Sequence, residues 1–156
     1  MADKLALPDC EESIFYKEFC AVLQNDPALK RVVKTWVTYD GTKIDPSSIN
    51  KLPEVHVLLN DTGSTANYAV NQVETTMLIA IDMTVDGTDV GNFLNLWSAI
   101  RAAIATSSLQ THRRRLKIGQ PAYAVGTVED TQVMVGGGNY ECHFIVNIGP
   151  VPCPDC

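Results

Sequence analysis

The sequence predicts an α+β fold: a mainly antiparallel sheet of four to five strands with two helices packed on one face, in the order α-β-β-β-α-β-β. Three observations carry this expectation. Two segments repeat apolar residues at three- and four-residue spacing, the signature of an amphipathic helix. Other segments alternate apolar with polar residues, as strands with one buried face do. Turn signals such as Asp40-Gly41 and Gly136-Gly137-Gly138-Asn139 separate the alternating segments, and the resulting order of elements is that of an α+β layer, not of a doubly wound parallel sheet.

The first helix is expected from about Glu11 to Asn25. Asp9 with Glu12 three residues on reads as a capping box, and Phe15, Phe19, Val22 and Leu23 form its apolar stripe. Asn25-Asp26-Pro27 should stop it. Val32 to Tyr39, rich in β-branched and aromatic residues, reads as a strand, after which Asp40-Gly41 turns the chain. The next strand should begin at Leu52-Pro53, because proline pushes its predecessor to extended geometry and cannot donate to a ladder. It runs through Val55, Val57 and Leu59. Asn60 to Asn67, with Gly63, Ser64 and Thr65, is expected to be a hairpin tip or loop.

Val73 to Asp86 is expected to be a long strand. Met77, Ile79, Ile81, Met83 and Val85 share one face, and Thr76, Leu78, Ala80, Asp82 and Thr84 share the other. Burying the first five contributes on the order of 10 kcal/mol as an upper estimate, comparable with the net stability of a domain. That face needs a roof. A second helix supplies it, with Asp89 as N-cap and Val90, Phe93, Trp97, Ile100 and Ile104 as its stripe, widened by Leu94 and Leu96. Asp82 falls on the reverse face, where its charge stays hydrated.

A basic connector, Thr111 to Lys117, leads to two last strands. Ala122 to Val135, with a bend near Gly126, should turn through Gly136-Gly137-Gly138-Asn139 into Tyr140 to Ile148. Pro150, Pro152 and Pro154 end the ordered fold. Residues 1–150 are therefore expected to form a single domain and 151–156 a Pro/Cys-rich tail.

Composition narrows the function. The chain has 156 residues, 46% hydrophobic and 19% charged, which are globular values. No apolar run approaches the roughly 18 to 20 residues of a membrane helix, and MADKLALPDCEES lacks the apolar core of a secretory signal. Synthesis in the cytoplasm and no membrane partner are expected. A net charge of −6 makes the surface a poor partner for phosphate backbones. Five cysteines, Cys10, Cys20, Cys142, Cys153 and Cys156, form an odd set that does not suggest a secreted disulfide framework. Cys153-Pro-Asp-Cys156 has neither the second ligand pair of a zinc site nor the following helix of a redox dithiol, so reduced thiols are expected.

Catalytic signatures are missing: no GxSxG, no P-loop, no GxGxxG opening a helix and no HExxH. No catalytic residue, metal or cofactor is assigned. His56 and His143 lie on expected strands and could approach one another on the open sheet face, whereas His112 stands apart. Asp82, Asp86 and Asp89 suggest magnesium in composition, yet Asp86-Gly87 reads as a turn and Asp89 as a cap. The Arg113-Arg114-Arg115 run stands out against the acidic background. It reads as a solvated loop or as a dock for an acidic partner, because arginine makes forked bonds to carboxylates.

The layout resembles the tail terminator or tail-completion proteins of long-tailed bacteriophages. The resemblance rests on "IFYKEFCAVLQNDPAL", "KLPEVHVLLN", "TTMLIAIDMTVDG" leading into "TDVGNFLNLWSAIRAAI", and the closing "NYECHFIVNIG". It spans nearly the whole chain as a pattern and carries no diagnostic motif. What it implies is a virion protein: a homo-oligomeric ring, commonly of six copies, that caps the tail tube and joins it to the head. Its partners would be itself, the tail tube protein and a head-tail connector or stopper, with DNA passing through transiently and without specific binding. Asp82 and Thr84 would then face the lumen or the next subunit, and Arg113, Arg114 and Arg115 would dock a partner. Rival readings are another neck, head-completion or baseplate ring, a host adaptor, and a small ligand-binding or enzymatic domain using His56, His143 and Asp82.

Overall fold

In the computed structural model, the described residues are 7–8, 10–38, 48–67, 72–111 and 114–147; the side chains of 61–67, 72, 73, 146 and 147 are not among them. The fold is α+β. Among the described residues, α1 (Glu11–Asn25), α2 (Pro27–Val32) and α3 (Val90–Ala105) accompany β1 (Thr35–Thr38), β2 (Glu54–Asn67), β3 (Gln72–Asp86), β4 (Arg114–Ile118), β5 (Ala122–Val128) and β6 (Thr131–Asn147). The sheet is mixed, ordered β1-β2-β3-β6-β4, with β5 also paired to β6. Among the described strands, β1 and β2 pair in parallel and the other pairings are antiparallel.

The helix α1 has the expected bounds, but Cys10 occupies its N-cap without a side-chain bond, and Asp9 lies outside the described residues. Phe15, Phe19 and Leu23 are buried. Asp26-Pro27 ends α1 and then starts a second helix. The Asp26 carboxylate accepts from the Ala28 and Leu29 amides, both at 3.1 Å, and Pro27 sits where its missing N–H costs nothing. Val32 is therefore helical. The expected strand from Val32 shrinks to Thr35–Thr38, with Tyr39 outside the described residues.

The long strand behaves as its alternation predicts. Met77, Ile79, Ile81, Met83 and Val85 are buried, and Asp82 is exposed on the reverse. Asp89 caps α3 by accepting from the Gly91 amide at 2.8 Å. Phe93, Leu96, Trp97, Ile100 and Ile104 are buried on the roof, whereas Leu94 points outward. Aromatic packing joins the layers: Phe15 meets Phe144 (centroids 5.6 Å), Phe19 meets Tyr140 (5.5 Å) and Trp97 meets Tyr140 (6.2 Å).

Three segments differ from expectation. Asn60–Asn67 is no loop; β2 continues through it in register with β3, with a shift between Leu59 and Asp61 that absorbs one residue as a bulge. The connector Thr111–Lys117 contains a strand, β4. The glycine run does not turn either. Gly136, Gly137 and Gly138 lie inside β6, and the β5–β6 turn is made by Glu129 and Asp130, which take positive φ values of 49° and 61°. The glycines serve close approach instead. A Cβ on Gly137 would stand 1.7 Å from the Ile81 carbonyl oxygen, one on Gly136 2.1 Å from that of Ala122, and one on Gly138 2.8 Å from the Trp97 ring.

Candidate functional site

Both roofing helices lie on one side of the sheet, so the reverse face and the outer strands are the surfaces left for chemistry or contact. By register, the reverse face carries Glu54, His56 and Leu58 on β2, Glu74 to Thr84 at alternate positions on β3, and Val135 to Ile145 likewise on β6. Arg115 and Lys117 of β4 continue it opposite His143 and Glu141. Lys117 thus faces the opposite charge of Glu141 across the β4–β6 pair.

Asp82 stands in register between His56 on β2 and Gly137 on β6. A carboxylate beside a glycine has open space on that side, which fits its exposure. Thr84, partly exposed, pairs in register with Glu54 and Val135. Glu54 is only 2% exposed, and the His56 Nε2 lies 3.5 Å from its carboxylate. The face is therefore closed over at the β1 end and open along its middle.

The two strand histidines do not meet. His56 is opposite Asp82 and His143 opposite Thr76, six positions apart along β3, or roughly 20 Å at the usual rise per residue. His112 lies outside the described residues. Among the described residues no group of three His, Cys, Asp or Glu side chains is placed to hold a metal ion, and Asp86 and Asp89 do not join Asp82 in one.

His143 does belong to a polar relay that sequence spacing did not reveal. Its Nε2 lies 2.6 Å from the Glu141 carboxylate and its Nδ1 3.1 Å from the Thr76 hydroxyl. Hydroxyl, imidazole and carboxylate stand in the order used by nucleophilic triads. What such chemistry also needs is a pair of N–H donors aimed at a developing oxyanion. Here the adjoining backbone belongs to the β3–β6 ladder. The arrangement ties β3 to β6 through side chains as well as backbone.

The arginine run divides. Arg114 turns to the helix side, where its guanidinium donates to Glu18 at 2.9 Å, lies 3.7 Å from Glu11 and stacks 5.4 Å over the Phe15 ring. It is a strut between β4 and α1, not a free dock. Arg115 is exposed on the opposite face, and Arg113 lies outside the described residues. Alternation within a strand, which a connector does not have, separates neighbours of identical type.

The outer strands are the other candidate contact surface. β5 pairs with β6 alone among the described strands. Tyr123 and Val125 on it are 49% and 56% exposed, and the Tyr123 ring lies 5.5 Å from Phe93. Leu94 on α3 is also exposed. An outer strand bearing apolar side chains can add a strand from another chain.

No helix of the described residues is long and apolar enough to cross a membrane. Compared with protein-family models and with curated proteins, the sequence matches none.

Proposed function

We propose that the protein is a structural subunit of a phage virion, assembling into a ring, commonly of six copies, that caps the tail tube and joins it to the head. The observation that carries this reading is the lopsided sheet: two helices roof one face, while the reverse face and the outer strand β5 are left to meet other chains. A ring needs a heterologous contact, in which one surface of a subunit meets a different surface of the next. β5, with Tyr123 and Val125 outward, and the reverse face, with Asp82, Arg115 and Lys117, are two such unlike surfaces.

In this reading Asp82 and Thr84 face the lumen or the neighbouring subunit. An acidic wall repels phosphate and lets DNA slide, where a basic wall would hold it. Arg115 meets an acidic partner, the tail tube protein or a connector at the head. The test is mass measurement in solution with and without tail tube protein, followed by electron microscopy. Rings that seat on tube ends support the proposal; a protein that stays monomeric at high concentration and ignores the tube overturns it.

A further inference from the structure

A groove of about 370 Å³ opens where α2 and α3 meet the ends of β2 and β3, lined by Val32, Pro53, Val85, Leu96 and Ala99 among others. Val32 is 52% exposed, although Leu29 one turn back on the same short helix is fully buried. At the opposite edge of the sheet, Tyr123 and Val125 of β5 share the face that the helices roof, as the contact of Tyr123 with Phe93 shows, yet the roof stops short of them. The two apolar surfaces stand in one row. Val125 pairs with Met134, and Met134 pairs on its other side with Val85, which lines the groove. Groove and strip are therefore level along the strands and on opposite flanks of the molecule, so a rotation about an axis running with the strands can bring the strip of one copy to the groove of the next.

Their charges are unlike as well. Lys30 and Arg31 in the last turn of α2, and Lys34 just beyond it, are exposed, a local excess of cations in a chain of net charge −6. The β5–β6 turn, Glu129-Asp130, is exposed and acidic. Asp86, also exposed, gives the sheet end of the groove the opposite sign, which steers an acidic turn toward α2 and fixes the direction of approach.

We propose that a second copy of this chain occupies the groove: β5 of one subunit lays Tyr123 and Val125 across Val32 and the groove of the next, and its Glu129-Asp130 turn meets Lys30 and Arg31. The inference rests on the ring reading above and gives β5 its counterpart, leaving the reverse face to the lumen and to the partner of Arg115. A contact between unlike surfaces repeats head to tail, as a ring requires, whereas a two-fold contact stops at a dimer.

Sedimentation of the full chain from about 1 to 100 μM reads the contact, and the parent should run larger than a dimer. Val125→Lys on one surface and Val32→Glu on the other replace exposed side chains, so melting curves should show both folded, and each should weaken association about a hundredfold. Mixed together, the two variants should form a dimer and nothing larger, because each keeps the surface that the other has lost. Glu129→Lys should also weaken assembly, and adding Arg31→Glu to the same chain should restore it, since every contact then again joins opposite signs. A monomeric parent, as expected of a groove kept for a foreign chain, undiminished assembly of the folded variants, or a mixture no larger than its parts would each overturn the proposal. Rings that survive both variants remove this contact and keep the ring; assembly that both variants break, but that never seats on tail tube, keeps the contact and removes the ring from the tail.

Discussion

The Arg114 guanidinium holds Glu18 at 2.9 Å while lying 5.4 Å from the centroid of the Phe15 ring, so one side chain clamps β4 against α1 through both charge and packing. Its side chain is 23% exposed and the Glu18 side chain 47%, so solvent screens the ion pair and much of its value lies in the stem and the ring contact. Arg114→Ala should lower stability by about 1 to 2 kcal/mol. Arg115→Ala, on the exposed reverse face, should change it by less than about 0.5 kcal/mol. Urea denaturation of the two variants side by side makes the comparison.

Gly137→Ala should be severely destabilising, by about 4 kcal/mol or more, because the new methyl would have to displace the backbone of β3 at Ile81. Gly119→Ala is the control: its Cβ would stand 3.3 Å from the Asn139 carbonyl oxygen, a contact relieved by a small shift. Soluble yield and thermal melting of the two variants give the readout. Equal melting temperatures would contradict the close approach of β3 and β6.

The glycine run also shows where a sequence misleads. Three glycines followed by asparagine carry a strong local turn signal, and nothing nearby reports that Ile81, Ala122 and Trp97 will press on them from distant parts of the chain. The true turn, Glu129-Asp130, contains no glycine and so gives no such signal. By contrast α1, α3 and β3 were legible because their periodicity is set by one buried face and recurs over fifteen residues or so. The candidate site was legible only as a face. Asp82 could be placed on it by alternation, and so could Glu141 beside His143, whereas Glu18 lies 96 residues from Arg114 and Thr76 67 residues from His143, separations that leave no trace in spacing.

Tyr140→Phe removes a buried hydroxyl that has no partner. Leaving such a group unsatisfied costs about 1 to 3 kcal/mol, so the phenylalanine variant should be as stable as the parent or more so in the absence of any ligand. A melting temperature lowered by several degrees would show that the hydroxyl has an acceptor after all.

Stability should fall in alkali over a defined window. Burial, reinforced by the Glu141 charge, pushes the Cys142 thiol from 9.0 up to about 12. Above pH 9 the unfolded thiol loses its proton while the folded one keeps it, so the folded state binds more protons and loses stability as pH rises. The contribution is intact below pH 9 and gone by about pH 12, with a slope of up to roughly 1.4 kcal/mol per pH unit for one group. The Tyr140 phenol, also pushed up by burial, steepens the decline from its ordinary value of 10.0 onward. Urea midpoints measured from pH 8 to 11 should trace this fall, and Cys142→Ala should flatten its early part.

Asp82→Lys separates folding from assembly. The residue is exposed, and Gly137 beside it in register has no side chain to clash with a longer neighbour, so the melting temperature should stay within about 2 degrees of the parent. If the reverse face lines a channel or meets the next subunit, a cation there either grips passing phosphate or breaks the charge match of the contact. The expected outcome is a folded protein that forms fewer rings, or rings whose particles deliver DNA slowly. Ring yield by electron microscopy and infectivity of particles carrying the variant measure the two effects apart. Full infectivity together with normal rings would remove Asp82 from both roles and move the contact to β5, where Val125→Lys is then the variant to make.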